Sequence, residues 1–187
     1  MICVSALRKA ALSVVVSCGI ALVSVFPAAA HVGVKADTTA AGSTAILTFG
    51  FSHGCGESPT TGLTFQIPEE FTSVNPVYAP GWEISWETED LATPVVSAHG
   101  TETTSRISTV TFTADEPIVT GIYAMVSLRL TLPEDMAGET IYFPVVQECE
   151  EGENAWIEIP ADGQDAEELE SPAPSINVTD AESDAGH

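Results

Sequence analysis

Positive charge is scarce in this sequence: five Lys and Arg stand against 27 Asp and Glu in 187 residues. A chain so poor in cations has little to neutralise phosphates with, which makes nucleic acid and anionic membrane surfaces poor partners. Cysteine is also scarce, with four in all, and none falls in a C-x-x-C pair. No G-x-S-x-G, phosphate-binding loop or H-E-x-x-H occurs, which removes the commonest serine-hydrolase, nucleotide and zinc-protease signatures. A Ser–His–acid triad can be drawn from the many serines, but nothing in the spacing supports it. No segment carries an apolar stripe at helical spacing, and no repeat of 20–50 residues is visible.

What is present begins at the N-terminus. Arg8-Lys9 precedes an apolar run from Ala10 to about Phe26, and Ala28-Ala29-Ala30 follows as an A-x-A site. The run is too short for a membrane span and ends in a processing motif, so residues 1–30 read as a secretory signal peptide. Cys18 follows Val15-Val16-Ser17, which is no lipobox, and no second apolar span follows. The expected product is therefore secreted or periplasmic, with no membrane anchor after cleavage. Cleavage after Ala30 leaves 157 residues, one domain's worth. Arg8 and Lys9 are lost, so three basic residues face all 27 acidic ones, a charge of −24 with His neutral. Such a chain favours cations, although acidity also serves simply to keep an exported protein in solution.

Processing at Ala30 makes His31 the first residue. A first-position His offers its free α-amine and its Nδ1 to one metal ion, a chelate no internal His can form. Borderline metals accept both nitrogens, and Cu(II) leads the divalent affinity order. Cys3 and Cys18 leave with the signal. Cys55 and Cys149 remain, and an oxidising compartment predicts a disulfide between them. The alternative, a thiolate copper or zinc site, lacks the usual ligand spacing.

The rest of the chain reads as short β runs. Val32–Lys35, Thr44–Phe51, Leu63–Ile67, Phe71–Tyr78, Trp82–Glu87, Ser105–Thr113, Ile122–Leu132, Thr140–Val146 and Trp156–Ile159 are strand candidates, separated by Gly, Pro, Asp and Thr. Thr88–Pro94 reads as a polar connection. This pattern predicts an all-β sandwich. Ala161–His187 reads as an acidic tail, disordered past about Val178. The expected organisation is a signal peptide 1–30, a domain 31–178 and a disordered tail 179–187.

A Cys55–Cys149 bond would set Ser52–Thr61 beside Gln147–Trp156, with His53 and Glu57 near Glu148, Glu150 and Trp156. His53, in a Gly-rich loop, could ligate a metal or bind a carbonyl. Glu57 could supply a carboxylate or merely be solvated, and the acidic run Glu148–Glu153 suits a solvated turn. Trp156 suits the core, or a cover that limits solvent at a metal.

Several residues together resemble a known family. The A-x-A/His start is followed by His53-Gly54-Cys55 with Ser58-Pro59-Thr60, then Pro80-Gly81-Trp82. Tyr142-Phe143-Pro144-Val145-Val146-Gln147 runs into Cys149-Glu150 and Trp156, and Pro172-Ala173-Pro174 closes the pattern. Over about residues 31–178 the chain resembles the YcnI-like family of exported bacterial proteins. The resemblance implies a β-sandwich of immunoglobulin or fibronectin type. It implies Cu(II) held in a brace with a single histidine, built from the terminal amine and imidazole, a carboxylate and a nearby Trp. His31 and Trp156 match by position. The carboxylate transfers to Glu57, with His53 as a substitute. The resemblance also implies a non-enzymatic role in copper trafficking or scavenging, beside a copper-delivery or copper-uptake protein. Two other readings compete. One is a metal-free cell-surface or adhesion module. The other is an oxidative copper enzyme, which would pair His31 with a second His, either His53 or His99.

Overall fold

The structure is a computed structural model and describes residues 31–96, 100 and 102–181. The expected signal peptide, His99 and the last six residues of the expected tail lie outside the described residues. Eleven strands form two principal sheets and a small third one. The first sheet contains β1 (Gly33–Ala36), β2 (Thr44–Phe51), β7 (Ala124–Thr131) and β4 (Val74–Pro76), in the order β1-β2-β7-β4. The second contains β10 (Glu153–Trp156), β9 (Val145–Cys149), β3 (Thr60–Gln66), β6 (Glu102–Ile118) and β5 (Trp82–Val96), in the order β10-β9-β3-β6-β5. β11 (Ser175–Asn177) pairs with β8 (Thr140–Tyr142). Among the described residues the named strands pair antiparallel, and the isolated bridges Ala40–Thr179 and Glu158–Pro172 are parallel. Among the described residues there is no α-helix, only two single 3₁₀ turns at Glu134–Met136 and Ala166–Glu168.

The period-2 alternation explains why these segments form strands. In β2, Ala45, Leu47, Phe49 and Phe51 point inward, while Thr44, Ile46 and Thr48 point outward. β7 matches it with Val126, Leu128 and Leu130. The facing sheet contributes Leu63, Phe65, Val110, Phe112 and Val145 to one continuous core. Aromatic rings tie the layers together across the sandwich. Phe49 of β2 lies 4.6 Å from Phe65 of β3, and Phe143 lies 5.6 Å from Phe49 and 5.7 Å from Phe71. Such pairs add about 0.5–1.5 kcal/mol each beyond the area they bury.

The structure differs from the sequence reading in several places, among them the expected strand Phe71–Tyr78, of which only Val74–Pro76 joins a sheet. Thr88–Pro94 is not a connection: β5 runs through it to Val96, paired with β6 despite register shifts at Glu87/Thr88 and Asp90/Val95. Its polarity reflects exposure on both faces, since Thr88, Glu89 and Asp90 are exposed and Leu91 is only half-buried. The segment Thr140–Val146 is two strands, because Phe143-Pro144 breaks the ladder between β8 and β9. The last strand is not Trp156–Ile159. β10 ends at Trp156, and Ile157 and Ile159 are exposed. Finally, the C-terminal part of the domain is anchored. Beyond β11, the Thr179 amide donates to the Thr39 carbonyl at 2.8 Å, and its carbonyl accepts from the Ala41 amide at 2.9 Å. No helix among the described residues is long and apolar enough to cross a membrane.

Candidate metal centre

β1 pairs with the end of β2, Gly33 opposite Gly50, so His31 lies just beyond the ladder at the end of the sandwich that holds Phe51. Val32 plugs into the core at 2 % exposure, which fixes the chain on either side of it. His31 itself is exposed. Its ring sits 5.1 Å from the indole of Trp156, tilted 52° to it. Trp156 ends β10 and is buried at 4 % exposure, opposite Val145 of β9. The first sheet thus delivers the imidazole and the second delivers the indole. The sequence reading placed both residues at a metal site, and the fold brings them together.

The indole is held from behind. Its Nε1–H donates to Gln147 Oε1 at 3.1 Å. Gln147 Nε2 donates to the carbonyl of His53 at 2.7 Å and to Thr60 Oγ1 at 2.8 Å. Gln147 and Thr60 are both 0 % exposed. Gln147 occupies the inward position of β9 two residues after Val145, where the alternation calls for an apolar side chain. That break in the alternation is the mark Gln147 leaves in the sequence, and Gln147 is absent from the expected site residues. A polar group in such a place is tolerated only when its hydrogen-bonding capacity is met, and here it is.

The loop that supplies the His53 carbonyl is closed by the predicted disulfide. Cys55 and Cys149 are bonded, with their Cα atoms 6.0 Å apart. The thiolate-site alternative for these cysteines is thereby excluded. Within the loop, the Cys55 amide donates to the Ser58 carbonyl at 3.1 Å and the Ser58 amide to the Cys55 carbonyl at 3.2 Å. Gly54 is required here, because a Cβ at this position would lie 1.8 Å from the Ser58 carbonyl oxygen. The loop also meets the β9–β10 turn, where the Glu150 amide donates to Pro59 O at 3.0 Å and the Glu151 amide to Ser58 Oγ at 2.8 Å. The expected proximity of the two segments is therefore real at the backbone level.

The remaining candidate ligands are placed differently. The side chains of His53 and Glu57 are exposed, and among the described residues neither makes a hydrogen bond. Glu148 points to the outer face of its sheet, where Oε1 accepts from Thr64 Oγ1 at 3.1 Å. No three His, Cys, Asp or Glu side chains converge among the described residues.

A family model described as a domain of unknown function, DUF1775, matches residues 31–178. No curated protein matches the chain. Among solved structures, the chain is similar to an uncharacterized protein from Nocardia farcinica whose crystal structure reveals an immunoglobulin-like fold. The two are 24 % identical with a TM-score of 0.59, over 80 % of this chain and 98 % of that one. A DUF4466 family protein from Parabacteroides merdae aligns at 9 % identity over 77 % of this chain and 45 % of that one, with a TM-score of 0.29, too low to carry an argument. The first likeness establishes the immunoglobulin-like sandwich and nothing about ligands.

Proposed function

The chain belongs to the DUF1775 family, and from that premise we propose that it is an exported copper-binding protein of the YcnI-like kind, acting in copper trafficking or scavenging without turnover. One observation carries this reading: the exposed imidazole of His31 rests beside the buried, hydrogen-bonded indole of Trp156. An ion reaches the ring from water and meets a hydrophobic wall on the indole side, which limits solvent access. With the signal peptide removed, the amine and Nδ1 of His31 are two nitrogen donors suited to Cu(II). Glu57, or His53 in its place, completes the set. The copper ion is cargo, and a site at a chain terminus with few donors suits transfer to a delivery or uptake protein in the periplasm or outside the cell. The surplus of 27 acidic over five basic residues favours collecting a cation.

The test is a paired Cu(II) titration of protein beginning at His31 and the same protein acetylated at its α-amine. The first binds tightly and the second does not, because the acetylated nitrogen is no longer a donor. Equal affinity in the two forms overturns the brace. In the His31-first protein, Glu57→Gln and His53→Gln identify the third donor by which of them weakens binding. Failure of the His31-first protein to bind copper favours the metal-free adhesion reading. Reductant-dependent oxygen consumption on a glycan favours the oxidative enzyme.

A further inference from the structure

We infer that Gln147 is the positioning residue of this centre: it sets the plane of the Trp156 indole against His31 and so tunes the affinity of the site. The inference rests on the copper reading for its effect on binding but not for its effect on geometry. The orientation of the amide is determined by its surroundings. Its Nε2 faces a backbone carbonyl, His53 O at 2.7 Å, which can only accept. Its Oε1 faces the indole N–H at 3.1 Å, which can only donate. A flipped amide would lose both bonds, so the side chain has one state. Thr60 Oγ1 at 2.8 Å takes the second amide hydrogen and closes the node.

The node joins three separately built pieces of the fold. Trp156 comes from the sheet edge, Thr60 from the central strand β3, and His53 from the loop held by the Cys55–Cys149 bond. The indole is therefore referenced to the sheet interior and not merely to its own strand. Burial completes the effect. At 0 % exposure no water can replace Gln147 as the acceptor for the indole N–H. Removing it leaves a donor and two acceptors unpaired, and the indole N–H, on an edge strand, regains a partner only if the ring turns toward solvent. Rotation would move the wall beside His31. Groups that orient the surroundings of a metal ligand change affinity by about 10–100-fold when lost.

The experiment compares Gln147→Leu and Gln147→Glu in protein beginning at His31. Two readouts are taken on folded material: the NMR shift of the His31 imidazole protons without metal, and Cu(II) affinity with the copper EPR spectrum. The wild-type imidazole shift carries a ring-current contribution from Trp156. In Gln147→Leu that contribution collapses, copper affinity falls about 10-fold or more, and the EPR parameters change. Gln147→Glu keeps an acceptor for the indole N–H but loses the donor to the His53 carbonyl, so its imidazole shift and affinity fall between those of wild type and Gln147→Leu. A folded Gln147→Leu with wild-type imidazole shift and affinity overturns the inference. If Gln147→Leu does not fold, Gln147→Asn, whose shorter side chain cannot reach the His53 carbonyl and the indole N–H together, takes its place: a reduced ring-current contribution with weakened copper binding supports the inference, and a wild-type shift and affinity overturn it. If wild-type protein ignores copper, the function proposed above fails, while the metal-free imidazole shift still decides the role of Gln147.

Discussion

Opening the Cys55–Cys149 bond should cost this protein a large part of its stability. The two residues are separated by 94 positions. In the chain-entropy model, a loop of about that length restricts the unfolded ensemble by roughly 15–16 cal/mol/K, or about 4.6 kcal/mol at 25 °C. The folded state gives little of this back. Its loop keeps the Cys55–Ser58 amide pair and the Glu150–Pro59 bond whether or not the sulfurs are joined, so reduction leaves the native geometry nearly intact. Almost the whole effect falls on the unfolded chain. A domain of this size unfolds with an entropy of about 0.3 kcal/mol/K, so the melting temperature should fall by about 15 °C. The assay is guanidinium and thermal unfolding of the wild type with and without a thiol reductant, beside the Cys55→Ser/Cys149→Ser double variant. Reduced wild type and double variant should agree, and the m-value should rise as the freed chain expands. A loss below about 1 kcal/mol would refute the reasoning, because it would mean the unfolded chain is already compact enough to hold these two segments together.

Two glycines with similar apparent clashes should behave differently. A Cβ on Gly54 meets the Ser58 backbone oxygen at 1.8 Å, whereas one on Gly50 meets the Tyr123 hydroxyl at 2.2 Å. Tyr123 is 65 % exposed and can swing away. Denaturant titration should show Gly50→Ala costing under about 1 kcal/mol and Gly54→Ala costing about 2–3 kcal/mol, in the range of forced overpacking; equal costs would contradict this. Arg106, 6 % exposed, bonds Glu89 at 2.8 Å and the carbonyls of Ile67 and Pro68 at 3.1 and 3.0 Å. Arg106→Leu should destabilise by about 2–3 kcal/mol, less than for a fully buried pair because Glu89 is half exposed and rehydrates. The same unfolding measurement checks it, and a neutral result would mean the three acceptors find water at no cost.

The strands were legible where one face is buried. Thr44–Phe51 was read to the residue, because core burial imposes period 2 on a sequence and leaves an outward series of Thr and Ile. The reading failed along Thr88–Pro94, where all but Leu91 are exposed and strand structure comes from pairing with β6. A ladder of backbone hydrogen bonds leaves no mark on the side-chain pattern. It failed likewise at Ser175–Asn177, whose pairing with Thr140–Tyr142 is equally non-local.

The centre divides along the same line. Composition and local motifs alone pointed to an exported acidic β protein, nominated His31 as a nitrogen donor and left two cysteines for one disulfide. Those are properties of short stretches, governed by chemistry within a few residues. That the His31 ring lies beside Trp156 was suggested only by resemblance, and the structure decides it by bringing the start of β1 in one sheet against the end of β10 in the other. That Gln147 stands behind the indole was not suggested at all. Its role depends on three partners drawn from a strand edge, a strand interior and a loop, and only the packing of the two sheets makes them neighbours.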